Sequence, residues 1–184
     1  MAFRHIQKQG DSELPAVPYG QCIAKTCEDG APGLTVSEHC RIVGEVARRL
    51  TSLLPPDVAS SLGNTVLTAA LHDVGKVSPG FQLKYFPEHA AHICRELADV
   101  PNHFEKDHAR TGGSAVWQAI GSPWHCPVTA WVAATHHGSV SRSPSPTDTA
   151  FEYGGEHWSL QRTELIEALK SEFGELDDRK LSLA

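Results

Sequence analysis

The sequence lacks the features of secreted, membrane-spanning and disulfide-stabilised proteins. No apolar run approaches the length of about 18 residues that a membrane helix needs, and the polar start MAFRHIQKQGDSELP has no apolar signal segment. The five cysteines form no CxxC pair, which argues against a disulfide framework and a structural zinc site. The net charge of −6 supplies no basic field for nucleic acid. We therefore expect a cytoplasmic protein with reduced cysteines and no membrane contact.

Segments that alternate with period two are also missing, and helical patterns fill the chain instead. We predict one compact all-α domain over residues 1–184, with an irregular N-terminal arm at 1–34 and a long surface loop at 138–158. Helices are predicted at 36–54, 65–74, from 79, at 87–100, from 108 to 120, at 128–137 and at 159–173. Their start signals include Thr35 with Glu38, Asn64, Ser78 before Pro79, and Asp107.

Two details of these helices bear on function. An apolar stripe in the first helix is expected to face the core and to turn His39 toward it; its members are Ile42, Val43, Val46, Ala47, Leu50 and Leu54. The second helix is expected to end at Gly75 and to carry the doublet His72-Asp73 on its last turn.

Histidine is abundant, with 11 residues in the chain. The doublet His72-Asp73 joins an imidazole to a carboxylate that can bridge two cations, and the adjacent His136 and His137 would be costly to bury without a metal or a carboxylate. Five histidines and one aspartate on four helical segments predict a multinuclear metal site; they are His39, His72, Asp73, His108, His136 and His137.

The segments SEHCRIVGEVA, AALHDVGKVSPGFQ, DHARTGGSAVW and WVAATHHGS resemble the HD nuclease domain of the CRISPR-associated helicase-nuclease, within the HD superfamily of metal-dependent phosphohydrolases. The resemblance covers about residues 35–138. It implies a compact helical HD bundle around a metal site. It also implies that His39, His72 and Asp73 contribute to one metal, that Asp73 bridges, and that His108, His136 and His137 hold a second. Lys76 would lie beside the scissile phosphate, so Asp73 and Lys76 are the expected catalytic residues.

One part of the family pattern is missing from this chain. The pattern ends with another metal-binding aspartate in an Ala-Asp-Trp context, and Asp148, Asp177 and Asp178 lack that context. Either the chain is an N-terminal piece of a longer protein, or its first metal site is incomplete. Histidine-rich ligands favour two divalent transition-metal ions, Mn²⁺, Fe²⁺, Co²⁺ or Ni²⁺, with Zn²⁺ as an alternative and Mg²⁺ disfavoured.

The leading functional prediction is metal-dependent cleavage of single-stranded DNA in CRISPR interference. The expected partners are the DNA strand, a CRISPR helicase that is fused or separate, and the guide-RNA surveillance complex. Two alternatives share the same doublet. One is an HD phosphohydrolase for small nucleotides, which would need an enclosed base pocket, and the other is a non-catalytic HD docking module.

Overall fold

The computed structural model describes residues 14–121, 125–138, 144–145 and 151–175. These ranges contain eight α-helices: α1 Val36–Thr51, α2 Pro56–Ser61, α3 Thr65–Ala70, α4 Pro79–Tyr85, α5 Pro87–Ile93, α6 His108–Ile120, α7 Val128–Thr135 and α8 Gly155–Phe173. Short 3₁₀ helices lie at Tyr19–Gln21, Val74–Lys76, Arg95–Leu97 and Phe151–Tyr153. Extended pairing in the described ranges is limited to isolated bridges, so the all-α prediction is confirmed.

Four predicted helix starts are confirmed by their capping hydrogen bonds. Thr35 caps α1 by accepting from the backbone N–H of Glu38, while the Glu38 carboxylate accepts from the backbone N–H of Thr35. Asn64, Ser78 and Asp107 cap α3, α4 and α6 with their side chains in the same way. Each cap satisfies backbone donors that the first turn of a helix leaves without a partner.

Several predicted boundaries are wrong, and among them the helix predicted at 128–137 ends at Thr135. The first helix ends at Thr51 rather than 54. A short helix that the sequence pattern did not predict, α2, begins at Pro56, and proline is favoured at the first position of a helix. The segment 87–100 divides into α5 and the 3₁₀ helix Arg95–Leu97, because the backbone of Cys94 is extended. The second predicted helix ends at Ala70, before the doublet. The last begins at Gly155, four residues early.

The predicted core stripe of α1 is also wrong. Ile42, Val46 and Leu50 are 49%, 50% and 60% exposed. The core-facing side of α1 carries the smaller residues Cys40 and Gly44 instead, and a Cβ at Gly44 would lie 2.7 Å from the Phe173 ring. A close approach of α8 therefore decides which side of α1 is buried.

The arm and the end of the predicted surface loop are packed into the core. Cys22 and Ile23 of the arm are buried, and so are Tyr153 and Trp158, which lie in the segment predicted as loop. Arg162 of α8 is buried as well and donates hydrogen bonds to the carbonyl oxygens of Val77, at 2.9 Å, and Tyr153, at 3.1 Å. These bonds attach α8 to the turn that carries the doublet.

Some predictions fall elsewhere in the chain. Asp148, Asp177 and Asp178 lie outside the described residues, as does most of the loop between 139 and 150. Within the part of the chain that the structure describes, no helix is both long enough and apolar enough to span a membrane.

Candidate metal site

The doublet lies in a turn that packs unusually close to α6. His72 and Asp73 come after the end of α3 and before the 3₁₀ helix Val74–Lys76, so the prediction that they occupy the last turn of a helix is wrong. Gly75 is needed for a close approach rather than for a helix stop: a Cβ there would lie 1.9 Å from the carbonyl oxygen of His108 and 2.3 Å from the amide nitrogen of Gly112. This contact brings the first residue of α6 next to Asp73.

Asp73 lies at the centre of the predicted residues, and its two oxygens face different imidazoles. Its Oδ2 is 3.0 Å from Nε2 of His39 and 3.2 Å from Nε2 of His72. Its Oδ1 is 3.2 Å from Nε2 of His108 and 3.4 Å from Nε2 of His136. The carboxylate is therefore shared between two groups of nitrogen atoms, one group for each oxygen.

The rings of His72 and His136 are oriented by the backbone. Each lies just past the end of a helix, and its Nδ1–H donates to the carbonyl oxygen three residues earlier, Ala69 or Ala133, at 2.8 Å. Since the carbonyl can only accept, Nδ1 carries the proton, and Nε2 is left with a free lone pair toward Asp73. Bonds of this kind orient the rings of metal-binding histidines.

Two sets of side chains could each hold a metal ion. In each set the ligand atoms lie within 4.8 Å of one another. The three-ligand group consists of His39, His72 and Asp73, and the four-ligand group of Asp73, His108, His136 and His137. In the four-ligand group Asp73 is buried, His108 and His136 are half-buried, and His137 is exposed. The four-ligand group therefore extends from the interior to the surface.

Two buried polar atoms of these groups lack hydrogen bonds. Among the described residues, Oδ1 of Asp73 and Nε2 of His136 are buried and make none. The Nε2 atoms of His108 and His137 lie 2.9 Å apart. Which of these two nitrogens would donate a hydrogen bond depends on the ring tautomers. Unpaired buried polar atoms are costly, and a divalent cation would satisfy them. The residues present thus fit a divalent metal with mixed nitrogen and oxygen ligands.

The charges of the site favour an ionised carboxylate. Burial raises the pKa of the Asp73 carboxyl, but the close imidazoles of His108, His136, His39 and His72 outweigh burial and hold that pKa well below its usual range. Burial lowers the pKa of His136, but the contact with Asp73 raises it above its ordinary value. Burial and the neighbouring His136 and His108 lower the pKa of His137.

Lys76 faces Asp73 rather than solvent. Its side chain is buried, its Nζ lies 2.7 Å from Oδ2 of Asp73, and the same Nζ lies 3.5 Å from the carbonyl oxygen of Ala24. The expected contact of Lys76 with a phosphate stays a prediction. The contact that the structure gives Lys76 would hold the shared carboxylate in place.

Gln82 is a residue of the site's support that the sequence reasoning did not assign. It is fully buried, and its side-chain amide donates to the carbonyl oxygens of Ile23, at 3.0 Å, and Lys76, at 2.9 Å, while its Oε1 accepts from the backbone N–H of Ile23 at 3.1 Å. It therefore connects the arm to the turn that carries Lys76. The sequence signal that could have identified it is a glutamine among the buried, mostly apolar residues of α4.

All six predicted ligands converge, and the nearby alternative does not. His103, five residues before His108, is exposed and stacks on Phe104, 4.7 Å between ring centres. The six ligands come from four different parts of the fold, namely α1, the turn after α3, the start of α6 and the end of α7.

Comparison with known proteins adds one match. The family model described as Cas3, HD domain matches residues 24–184, a range that includes both ligand groups, Lys76 and Gln82. The curated proteins give no match. The solved structures give none either.

Proposed function

The chain belongs to the Cas3 HD-domain family, and from this premise we propose that it hydrolyses phosphodiester bonds of single-stranded DNA in CRISPR interference. Membership gives the coarser class: HD domains of this family bind divalent metals and act as metal-dependent phosphohydrolases or nucleases of CRISPR systems. The observation that carries the finer proposal is the shared carboxylate of Asp73, which faces a different group of imidazoles with each oxygen.

The proposal assigns one divalent ion to each ligand group. His39, His72 and Oδ2 of Asp73 would hold the first, and Oδ1 of Asp73 would join the second group, which is completed by His108, His136 and His137. Imidazole-rich groups favour Mn²⁺, Fe²⁺, Co²⁺ or Ni²⁺ over Mg²⁺. When bound, such ions supply positive charge to phosphate oxygens and lower the pKa of an attacking water.

The chain's own residues organise this chemistry. The backbone bonds of His72 and His136 fix which ring nitrogen faces the cluster. Lys76 holds Oδ2 of Asp73, so the carboxylate keeps one oxygen for each group. In this proposal Asp73 and the five histidines form the catalytic site, and Lys76 acts on it through Asp73, with its phosphate contact still to be tested.

A polymer substrate is favoured over a small nucleotide by the position of the four-ligand group. His137 is exposed while Asp73 is buried, so this group is reached from the surface of the domain. A flexible single strand can bring its phosphate to such a group more easily than a stacked duplex can. In a CRISPR system a helicase, fused or separate, would supply that strand at a target selected by the guide-RNA surveillance complex.

The test uses the purified protein with Mn²⁺ and circular DNA, single-stranded or duplex. We expect the single-stranded circle to be cut faster than the duplex and the Asp73→Asn variant to cut neither. Equal rates on both DNAs would refute the preference. Hydrolysis of free nucleotides without cleavage of DNA would support the small-nucleotide alternative, and metal binding without any hydrolysis would support a docking module.

A further inference from the structure

A row of aromatic rings leads from the four-ligand group to the protein surface. The Phe81 ring packs edge-on against His108, 5.2 Å between ring centres, and the Tyr85 ring lies 4.8 Å from Phe81. Phe81 and Tyr85 are four residues apart on α4, which places them on one side of the helix. The ring of Tyr85 therefore lies within about 10 Å of the ring of His108.

The two ends of this row differ in exposure. Phe81 is buried, with 7% of its surface exposed, whereas Tyr85 is 51% exposed. No other Phe, Tyr or Trp side chain that the structure describes is exposed. Phe81 thus fixes the direction of α4 relative to His108, and Tyr85 presents an open ring. Large exposed rings beside a site are typical of binding surfaces.

Lys84 adds a cation to this surface. It is exposed, and its Nζ lies 4.5 Å from the centre of the Tyr85 ring. A cation–π contact at an exposed position contributes only about 0.5–1 kcal/mol, so a base can displace the ammonium from the ring at little cost. The displaced ammonium would still lie close enough to pair with a neighbouring phosphate.

We propose that Tyr85 is a stacking platform for one base of the single-stranded DNA whose phosphate enters the four-ligand group, and that Lys84 contacts the backbone beside that base. This inference rests on the proposed function and adds a binding subsite to it. At about 3.4 Å per stacked nucleotide, a separation of at most about 10 Å corresponds to a base within about three nucleotides of the cleaved bond. Stacking on a ring tolerates any base, so the subsite would confer little sequence preference.

The first test compares Tyr85→Ala with Tyr85→Phe in cleavage of a single-stranded oligonucleotide. We expect Tyr85→Ala to raise KM by about 5- to 100-fold with little change in kcat, because base stacking on an aromatic ring contributes affinity of that order. Tyr85→Phe keeps the ring and should keep the KM. Leu160→Ala, which removes a 49%-exposed apolar side chain from α8, is the control for a change in surface apolarity. An unchanged KM for Tyr85→Ala would overturn the proposal.

A second test identifies the stacked base without relying on metal. A single abasic position is moved along the oligonucleotide, and binding is measured by fluorescence anisotropy in EDTA. At one position the abasic substitution should weaken DNA binding by the wild-type protein but not by Tyr85→Ala, because the base and the ring form one interaction. Equal losses for both proteins at every position would refute stacking on Tyr85.

An RNA strand of the same sequence shows whether the bound single strand is DNA or RNA. Cleavage of DNA but not of RNA supports a DNA subsite, and cleavage of RNA alone would overturn it. The proposed function fails if the wild-type protein cuts no single-stranded DNA. The subsite alone fails if the wild-type protein cuts the strand and Tyr85→Ala cuts it with the same KM and the same response to abasic positions.

Discussion

Replacing Gly75 by alanine should separate the doublet turn from α6. The new Cβ would lie 1.9 Å from the carbonyl oxygen of His108 and 2.3 Å from the amide nitrogen of Gly112, and real Cβ contacts are rarely shorter than 3.4 Å. The backbones must therefore move apart by roughly 1.5 Å, since neither neighbour is a flexible side chain. Overpacking of this kind costs about 1–3 kcal/mol, or roughly 2–12 °C in Tm for a chain of this size.

The same displacement should affect the two ligand groups unequally. His108 would move away from Oδ1 of Asp73, now 3.2 Å from its Nε2, whereas neither His39 nor His72 is among the nearest neighbours of the new Cβ. We expect the Mn²⁺ affinity of the four-ligand group to fall by about 10- to 100-fold, as it does when residues that orient metal ligands are changed.

The assay is Mn²⁺ calorimetry together with thermal melts of metal-free protein. Gly20→Ala is the matched control, because no atom lies within 4 Å of a Cβ at Gly20. Gly112→Ala should be intermediate, since its Cβ would lie 3.1 Å from the amide nitrogen of Gly75. If Gly75→Ala melts and binds Mn²⁺ as the wild type does, the close approach does not position His108.

Two further substitutions test the support of the shared carboxylate. Lys76→Met should lower the Tm more in EDTA than in Mn²⁺, because a bound cation can replace the ammonium that lies 2.7 Å from Oδ2 of Asp73; equal losses in both conditions would contradict this. Gln82→Leu should speed hydrogen exchange at the backbone amide of Ile23 and lower the Tm, because it leaves three buried backbone groups without a partner at about 1–3 kcal/mol each; unchanged exchange at Ile23 would rule out Gln82 as the connection between arm and turn.

The sequence was most informative where local chemistry decides the structure. Caps such as Thr35 with Glu38, or Asp107, act within one turn, so their residues alone predict the starts of α1 and α6. The candidate ligands were also predictable as a set. Histidines adjacent to an aspartate and to each other have few reasons to occur at helix ends, and the resemblance selected His108 rather than His103.

Properties that depend on contacts between distant segments could not be predicted. The stripe of Ile42, Val46 and Leu50 has the period of a buried face, but periodicity does not say which side of a helix a neighbour covers, and Gly44 lets Phe173 pack on the other side. Gly75 resembles a helix stop in sequence, although its need for glycine comes from α6, more than 30 residues later.

The geometry of the metal site also depends on contacts between distant segments of the chain. The family resemblance implies that Asp73 bridges, but which oxygen faces which imidazole depends on where four segments of the chain meet. Lys76 was expected beside the scissile phosphate, whereas its contacts in the structure are with the carboxylate of Asp73 and with the carbonyl oxygen of Ala24 in the arm, 52 residues earlier in the chain.

The shared carboxylate is tested most directly by Mn²⁺ titration calorimetry of the wild type and Asp73→Asn, with circular dichroism as the folding control. We expect two ions per wild-type chain and weakened binding of both in Asp73→Asn, whereas His39→Ala should weaken binding of one ion and His137→Ala binding of the other. If folded Asp73→Asn keeps one ion at wild-type affinity, Asp73 serves a single ligand group and its carboxylate is not shared.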